Sequence, residues 1–213
     1  MSGIPRFPVY LFDLDGTLLD SAADIGGAIR TVLENWRPRL EVSDDYLRSY
    51  IGLHLIDLFQ DLNFPAEAMQ PMVEEYRKVY PARGHAGTRI YPGVVEALAA
   101  LGGSRKSTAT TKGSPSTRAI LEQFGLLKFF DHAQGTDGFP AKPRPDVIFA
   151  GLAALGADPS ECLLVGDSPA DMEAGRAAGV ATCAVRYGYG KIENIARWNP
   201  DYWVDDLREL TTG

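Results

Sequence analysis

Leu11–Asp20 reads LFDLDGTLLD. This stretch decides the fold, because an apolar run ends in two carboxylates, Asp13 and Asp15, set two residues apart. Side chains of an extended chain alternate faces, so both carboxylates leave the backbone on the same side for as long as the strand geometry persists. Two anions held together call for a cation. The run before them, VYLF at 9–12, is short and rich in β-formers, and the DGT after them is turn chemistry, so the pair stands where a strand ends. Taken alone, a strand followed by an acidic turn that caps a helix accounts for DLDGT equally well.

Outward from this point, strand and helix patterns alternate. SAADIGGAIRTVLENW at 21–36 places Ile25, Ile29, Val32, Leu33 and Trp36 at helical spacing, with Asp20 or Ser21 as its cap. From 43 to 80 the pattern stays helical, starting at a cap-like Ser43 and including a stripe of Met69, Met72, Val73, Tyr76 and Val79 that reads as core. Residues 81–93, PARGHAGTRIYPG, read as a linker. Beyond it come a helix VVEALAALG, a strand STATT, a helix PSTRAILEQFG, a loop TDGFPAKPRP, a helix DVIFAGLAALG, a strand CLLVGD, a helix ADMEAGRAAG, a strand ATCAVR and an edge strand YWV at 202–204. The expected architecture is α/β: a three-layer α/β/α Rossmann-like core with a parallel sheet, built from residues 1–19 and 85–213. An all-helical cap domain, 20–84, is inserted directly after the DGT turn. Ligands of open parallel sheets bind beyond the carboxyl ends of the strands, and Asp13, Thr110 and Asp167 each close a predicted strand there. Helices springing from that edge would cover the site as a lid.

Composition narrows the function classes. The chain has 213 residues and 45% hydrophobic content, which suits a soluble core domain with a smaller partner. Its net charge of −7 offers no basic footprint, which argues against nucleic acid and against an anionic membrane as partners. An anionic substrate then needs local help from a metal or a few placed cations. Cys162 and Cys183 lie in apolar runs and read as buried free thiols, consistent with a reducing cytoplasm. No apolar run is long enough to span a membrane or to serve as a secretory signal. Nothing in the sequence speaks to oligomeric state.

DLDGT, then TTK, then AKPRP, then VGDSPAD resemble, in this order, the four motifs of the haloacid dehalogenase superfamily of phosphohydrolases. DLDGTLLDSAADI, RIYPGV, VRYGYG and NPDYWVDDLREL are further similar to the corresponding stretches of phosphoglycolate phosphatases with a helical cap. The resemblance implies a Mg²⁺-dependent phosphomonoester hydrolase working through an aspartyl-phosphate on a small-molecule phosphate ester, 2-phosphoglycolate first. The alternatives are a sugar phosphate mutase of the β-phosphoglucomutase type, or a phosphatase for pyrophosphate or a nucleoside monophosphate. A phosphate-binding regulatory module without turnover is the rival from another class.

On this resemblance Asp13 is the nucleophile and Asp15 the acid/base. The Mg²⁺ ligands are Asp13, the main-chain carbonyl of Asp15, and Asp167, with Asp171 orienting the site from behind. Thr110 supplies a hydroxyl and Thr111 a backbone N–H to the phosphoryl group, a register that a one-residue shift would exchange, and Lys142 supplies a point charge. Lys112 and Arg144 read as surface charges. In the helical segment, His54 and Arg48 are the candidate substrate contacts. His54 reads otherwise as an exposed helix-terminal residue, and Arg48 as an ion-pair partner of Asp44 or Asp45. Tyr187, Gly188, Tyr189 and Gly190 form either a flexible rim or a tight turn.

Overall fold

The computed structural model describes residues 3–211. Its strands are β1 (Val9–Phe12), β2 (Leu19–Asp20), β3 (Arg89–Ile90), β4 (Arg105–Thr108), β5 (Cys162–Gly166), β6 (Ala181–Val185) and β7 (Tyr202–Val204). Its α-helices are α1 (Ala22–Trp36), α2 (Asp44–Arg48), α3 (Leu55–Asp61), α4 (Ala66–Ala82), α5 (Val94–Ala100), α6 (Ser114–Gln123), α7 (Asp146–Leu155), α8 (Pro169–Ala178) and α9 (Ile192–Ala196).

Five strands form one sheet in the order β4-β1-β5-β6-β7, and every neighbouring pair is parallel. β1 lies between β4 and β5 with all four residues buried, which is why VYLF carries no polar alternation. Tyr10 and Phe12 face one core with Leu98 of α5 and Ile120 and Leu121 of α6, whereas Val9 and Leu11 face another with Val147, Ile148 and Leu152 of α7 and Ala174 of α8. Helices therefore cover both faces, giving the three-layer α/β/α arrangement. β7 is the edge strand that YWV suggests.

Because the strands are parallel, their carboxyl ends share one edge. The Asp13 N–H continues the β1–β5 ladder to the Val165 carbonyl at 2.9 Å, and Asp167 follows β5 directly. β4 runs from Arg105 to Thr108, earlier than the expected STATT, because Arg105 and Lys106 pair with Val9 and Tyr10. Thr110 thus lies two residues beyond the strand.

The polar character of the strand before Thr110 has a local cause. Lys106 is buried, and its ammonium donates to the carbonyls of Leu101 (2.8 Å) and Ser104 at the end of α5.

The expected linker 81–93 contains structure that its Gly and Pro content conceals. α4 continues to Ala82, and Arg89–Ile90 pairs antiparallel with Leu19–Asp20, joining Leu19 to Ile90 and Asp20 to Arg89. This two-strand neck brings both ends of the α1–α4 segment together beside the sheet edge. α1 packs on α4, and α3 also packs on α4. Met72 and Val73 are buried and Met69, Tyr76 and Val79 lean on the same core, so the stripe on α4 is packing surface. Trp36, expected on the buried face of α1, is 41% exposed instead, where its indole N–H donates to Glu75 at 2.7 Å. Among the described residues no helix is long and apolar enough to cross a membrane. Cys162 and Cys183 are buried free thiols.

Candidate active site

Asp13, Asp167 and Asp171 converge at the carboxyl edge, each offering a carboxylate oxygen, and these oxygens lie within 4.8 Å of one another. All three side chains are buried. Lys142 enters between them. Its ammonium lies 2.9 Å from Asp13 Oδ1 and 2.5 Å from Asp171 Oδ1, on a side chain only 1% exposed.

Each carboxylate has a separate mount. Asp171 stands in the first turn of α8 in a capping box. The Ser168 hydroxyl accepts from the Asp171 N–H at 3.2 Å, while Asp171 Oδ2 accepts from the Ser168 N–H at 3.0 Å and from its hydroxyl at 2.6 Å. The helix-terminal charge read from sequence is therefore present, and the same carboxylate also reaches Lys142. Asp167 accepts from the Thr17 hydroxyl at 3.1 Å and from the Tyr189 N–H at 2.7 Å. Gly16, with φ of 90°, and Gly188 press so close on this carboxylate that a Cβ at either position would overlap it. The Tyr187–Gly190 segment is thus neither a free rim nor a simple turn. It straps Asp167 in place, and Tyr187 also donates its hydroxyl to the Thr17 carbonyl at 2.7 Å.

Burial pushes the Asp13 carboxyl up to about 6, with Asp171 and Asp15 adding to the rise and Lys142 opposing it. Asp167 is pushed well above the carboxylate range by burial and then by Asp13 and Asp171, against the two hydrogen bonds it accepts. Burial works against the charge on Lys142, but Asp13 and Asp171 outweigh it and raise its pKa. One ammonium among three buried carboxylates leaves negative charge unmatched. The donor set is oxygen only, compact and rigidly mounted, which fits a small hard divalent cation such as Mg²⁺.

Asp15 points elsewhere. Its Oδ1 accepts from the Ser21 hydroxyl at 2.5 Å, and its Oδ2 lies 2.7 Å from Lys112 Nζ. Only its main chain remains for the expected metal role. Lys112 is the largest correction to the sequence reading. Its side chain is 13% exposed, and the ammonium lies 4.5 Å from the centre of the Tyr80 ring on α4. Burial opposes its charge, yet Asp15 and Tyr76 raise its pKa. Arg144, at 70% exposure, is the surface charge expected.

Ser21 is the second correction. It sits at the N-cap position of α1, but its side chain makes no cap bond and goes to Asp15. Its backbone N–H, with that of Ala22, donates instead to the Tyr189 hydroxyl at 2.6 and 3.0 Å.

Thr110 is buried. Its hydroxyl accepts from the Lys112 N–H at 3.3 Å, and its carbonyl accepts from the Thr136 hydroxyl at 2.9 Å. Thr111 follows, half-buried. Among the helical candidates, His54 is exposed and caps α3, its Nδ1 accepting from the Ile56 N–H at 3.3 Å. Arg48 does not pair with Asp44, which binds Arg30 at 2.5 Å. Its guanidinium lies 5.5 Å from the centre of the Tyr189 ring, facing the strap on Asp167.

Sequence reasoning missed Ser21, Thr17 and Lys112 as site residues, and read Tyr189 only as part of a rim or turn. TTK did carry the signal for Lys112, which stands two residues after Thr110 in a motif at a strand end.

The chain has an α/β fold with an acidic cluster at the sheet edge, and it belongs to the haloacid dehalogenase-like hydrolase family, whose model matches residues 10–185. It is 34% identical to a phosphoglycolate phosphatase of Pseudomonas savastanoi pv. phaseolicola over 96% of this chain and 79% of that one. It is 35% identical to a phosphoglycolate phosphatase of Vibrio parahaemolyticus, over 93% of this chain and 92% of the relative. The crystal structure of a predicted phosphatase from Clostridium acetobutylicum superposes with a TM-score of 0.89 at 28% identity, covering 97% of each chain.

Proposed function

We propose that this hydrolase is a Mg²⁺-dependent phosphomonoester phosphatase, with 2-phosphoglycolate as its substrate. The observation that carries the reading is the division of labour between two carboxylates on one strand end. Asp13 is held in the carboxylate-rich floor by Lys142, while Asp15 is held apart by Ser21 and Lys112.

Asp13 is the nucleophile. Its carboxylate attacks phosphorus in line with the ester oxygen, forming an aspartyl-phosphate and releasing an alcohol, and water then cleaves the acyl phosphate. Lys142 orients Asp13 and offsets the charge of the phosphoryl group, while Asp171 fixes Lys142 from behind. Asp15 gives its proton to the leaving oxygen and takes one from the attacking water in the second half of the reaction. The Thr110 hydroxyl and the Thr111 N–H hold phosphoryl oxygens. The carboxylates of Asp13 and Asp167, with the Asp15 carbonyl, would hold Mg²⁺, and Mg²⁺ would supply positive charge to the phosphoryl oxygens.

Residues 20–84 act as the cap on a core of 1–19 and 85–213, and the cap carries the choice of substrate. The neck between β2 and β3 supports this, since it joins both ends of the helical segment to the edge that holds Asp15.

Phosphate release from a panel of small esters, with Mg²⁺ and with chelator, tests the reading. The expected result is metal-dependent release strongest on 2-phosphoglycolate and lost in Asp13→Asn. Full activity in Asp13→Asn overturns the nucleophile, and equal release with chelator overturns the metal requirement.

A further inference from the structure

Two lysines enter the site from different sides, and the chemistry above uses only one of them directly. Lys142 is committed to Asp13 and Asp171. Lys112 reaches Asp15, the side on which the proposed reaction releases its alcohol. We propose that Lys112 is the recognition group for a carboxylate in the leaving alcohol, so that the enzyme selects phosphate monoesters with a carboxylate one carbon from the ester oxygen. The inference rests on the hydrolase reading given above.

Four observations carry it. The first is position. Nζ is 2.7 Å from the carboxylate that protonates the ester oxygen, so a group one carbon beyond that oxygen falls within its reach.

The second is capacity. An ammonium has three donors. Among the described residues Lys112 has one carboxylate partner, Asp15, and otherwise faces the Tyr80 ring, which leaves room for another acceptor.

The third is placement. The Lys112 carbonyl accepts from the Thr136 N–H at 2.8 Å, and a Cβ on Gly135 would overlap that carbonyl, so the loop presenting the lysine is pinned against 135–136. A flexible surface lysine has no such mount.

The fourth is charge. While Asp15 carries the proton it gives to the leaving oxygen, the Lys112 ammonium is left to match one monoanion, whereas a dianionic second phosphate there would leave charge unmatched. Tyr80 and Tyr76, stacked with ring centres 5.5 Å apart on α4, place this subsite at the seam between helices and sheet edge.

The test compares kcat/KM for 2-phosphoglycolate and for 2-hydroxyethyl phosphate, which replaces the carboxylate by a neutral group, in unmodified protein and in Lys112→Met and Lys112→Arg. The ratio of the two values should fall about 10- to 100-fold in Lys112→Met, the worth of one charge-assisted hydrogen bond. Lys112→Arg should keep more of the ratio. If Lys112→Met slows both esters alike and leaves the ratio unchanged, the lysine serves only to position Asp15 and the proposal is overturned.

Competition in the unmodified protein gives a readout that needs no variant. Glycolate should inhibit at least about tenfold more tightly than ethylene glycol, and equal inhibition overturns the proposal. Unmodified protein that turns over neither ester with Mg²⁺ overturns the hydrolase reading itself, and this inference with it.

Discussion

Along the carboxyl edge of the sheet, Asp13, Asp167, Asp171 and Lys142 are all buried, and each is fixed by a partner named above. On α2 and at the start of α3, Arg48 and His54 stand exposed, one over a tyrosine ring and one capping its own helix. The floor is electrostatically costly and therefore over-determined, because charges without water need fixed partners. The helices carry ordinary packing inside and ordinary solvated charge outside. Between the two lies a seam in which Ser21, Tyr80, Lys112 and Tyr189 tie helical residues to the sheet edge.

If the floor is as tightly coupled as this contrast implies, Lys142→Met should have the largest effect of any single change outside the nucleophile. It leaves Asp13 and Asp171 buried without their shared cation. Breaking a buried pair in this way costs about 3–5 kcal/mol of stability, and removing a charge aimed at the phosphoryl group costs about 10²–10³-fold in kcat. Thermal unfolding and phosphate release measure the two together. A variant that loses activity at unchanged stability would show that the floor is less coupled than its geometry says.

The seam should respond less. Tyr189→Phe removes the hydroxyl that accepts from the Ser21 and Ala22 N–H groups and donates to Asp20 Oδ1 at 3.0 Å. Two backbone donors lose their partner, a loss of about 1–2 kcal/mol. Ser21 also holds Asp15, so kcat should fall several-fold while KM for Mg²⁺ stays unchanged. Denaturant unfolding and a metal titration check both, and a large change in metal affinity would move Tyr189 from the seam to the floor.

The same contrast explains what could be read from the chain alone. Every floor residue follows or faces a strand end and sits inside a short motif, so DLDGT, AKPRP and VGDSPAD gave Asp13, Lys142, Asp167 and Asp171 together with the sheet that unites them. Apart from the motif position of Lys112, the seam was not legible. Ser21 looks like a helix cap because Ser before an apolar helix usually is one. The bond that diverts it exists only because the turn at 14–19 folds back, with the Gly16 N–H on the Leu19 carbonyl at 2.8 Å. Lys112 looked solvated because nothing in TTK says that Tyr80 of α4, thirty-two residues upstream, will lie against it. The two-residue strands β2 and β3 are too short to show any alternation, and each is defined only by its partner.

His85 carries the smallest expected effect, and it probes the return crossing of the neck. Its backbone is left-handed, with φ of 55°, its ring lies 4.9 Å from that of Tyr80, and its buried Nδ1 has no hydrogen-bond partner among the described residues. Burial, with Lys112 adding, pushes its pKa down, and Asp24 and Asp15 pull the other way. The folded state therefore keeps this imidazole neutral at a pH where the unfolded chain, near about 6.5, already takes a proton. The sign follows: its contribution is whole above that pH and declines as the pH falls toward the lower folded-state value. Asn accepts a left-handed backbone, so His85→Asn removes the titration without imposing strain. The variant's melting temperature should fall less steeply between about pH 7 and 5, by under about 3 °C per pH unit relative to the unmodified protein. Parallel slopes would mean that His85 opens to water at the crossing, and that the neck is as loosely held as the outer helices rather than belonging with the seam.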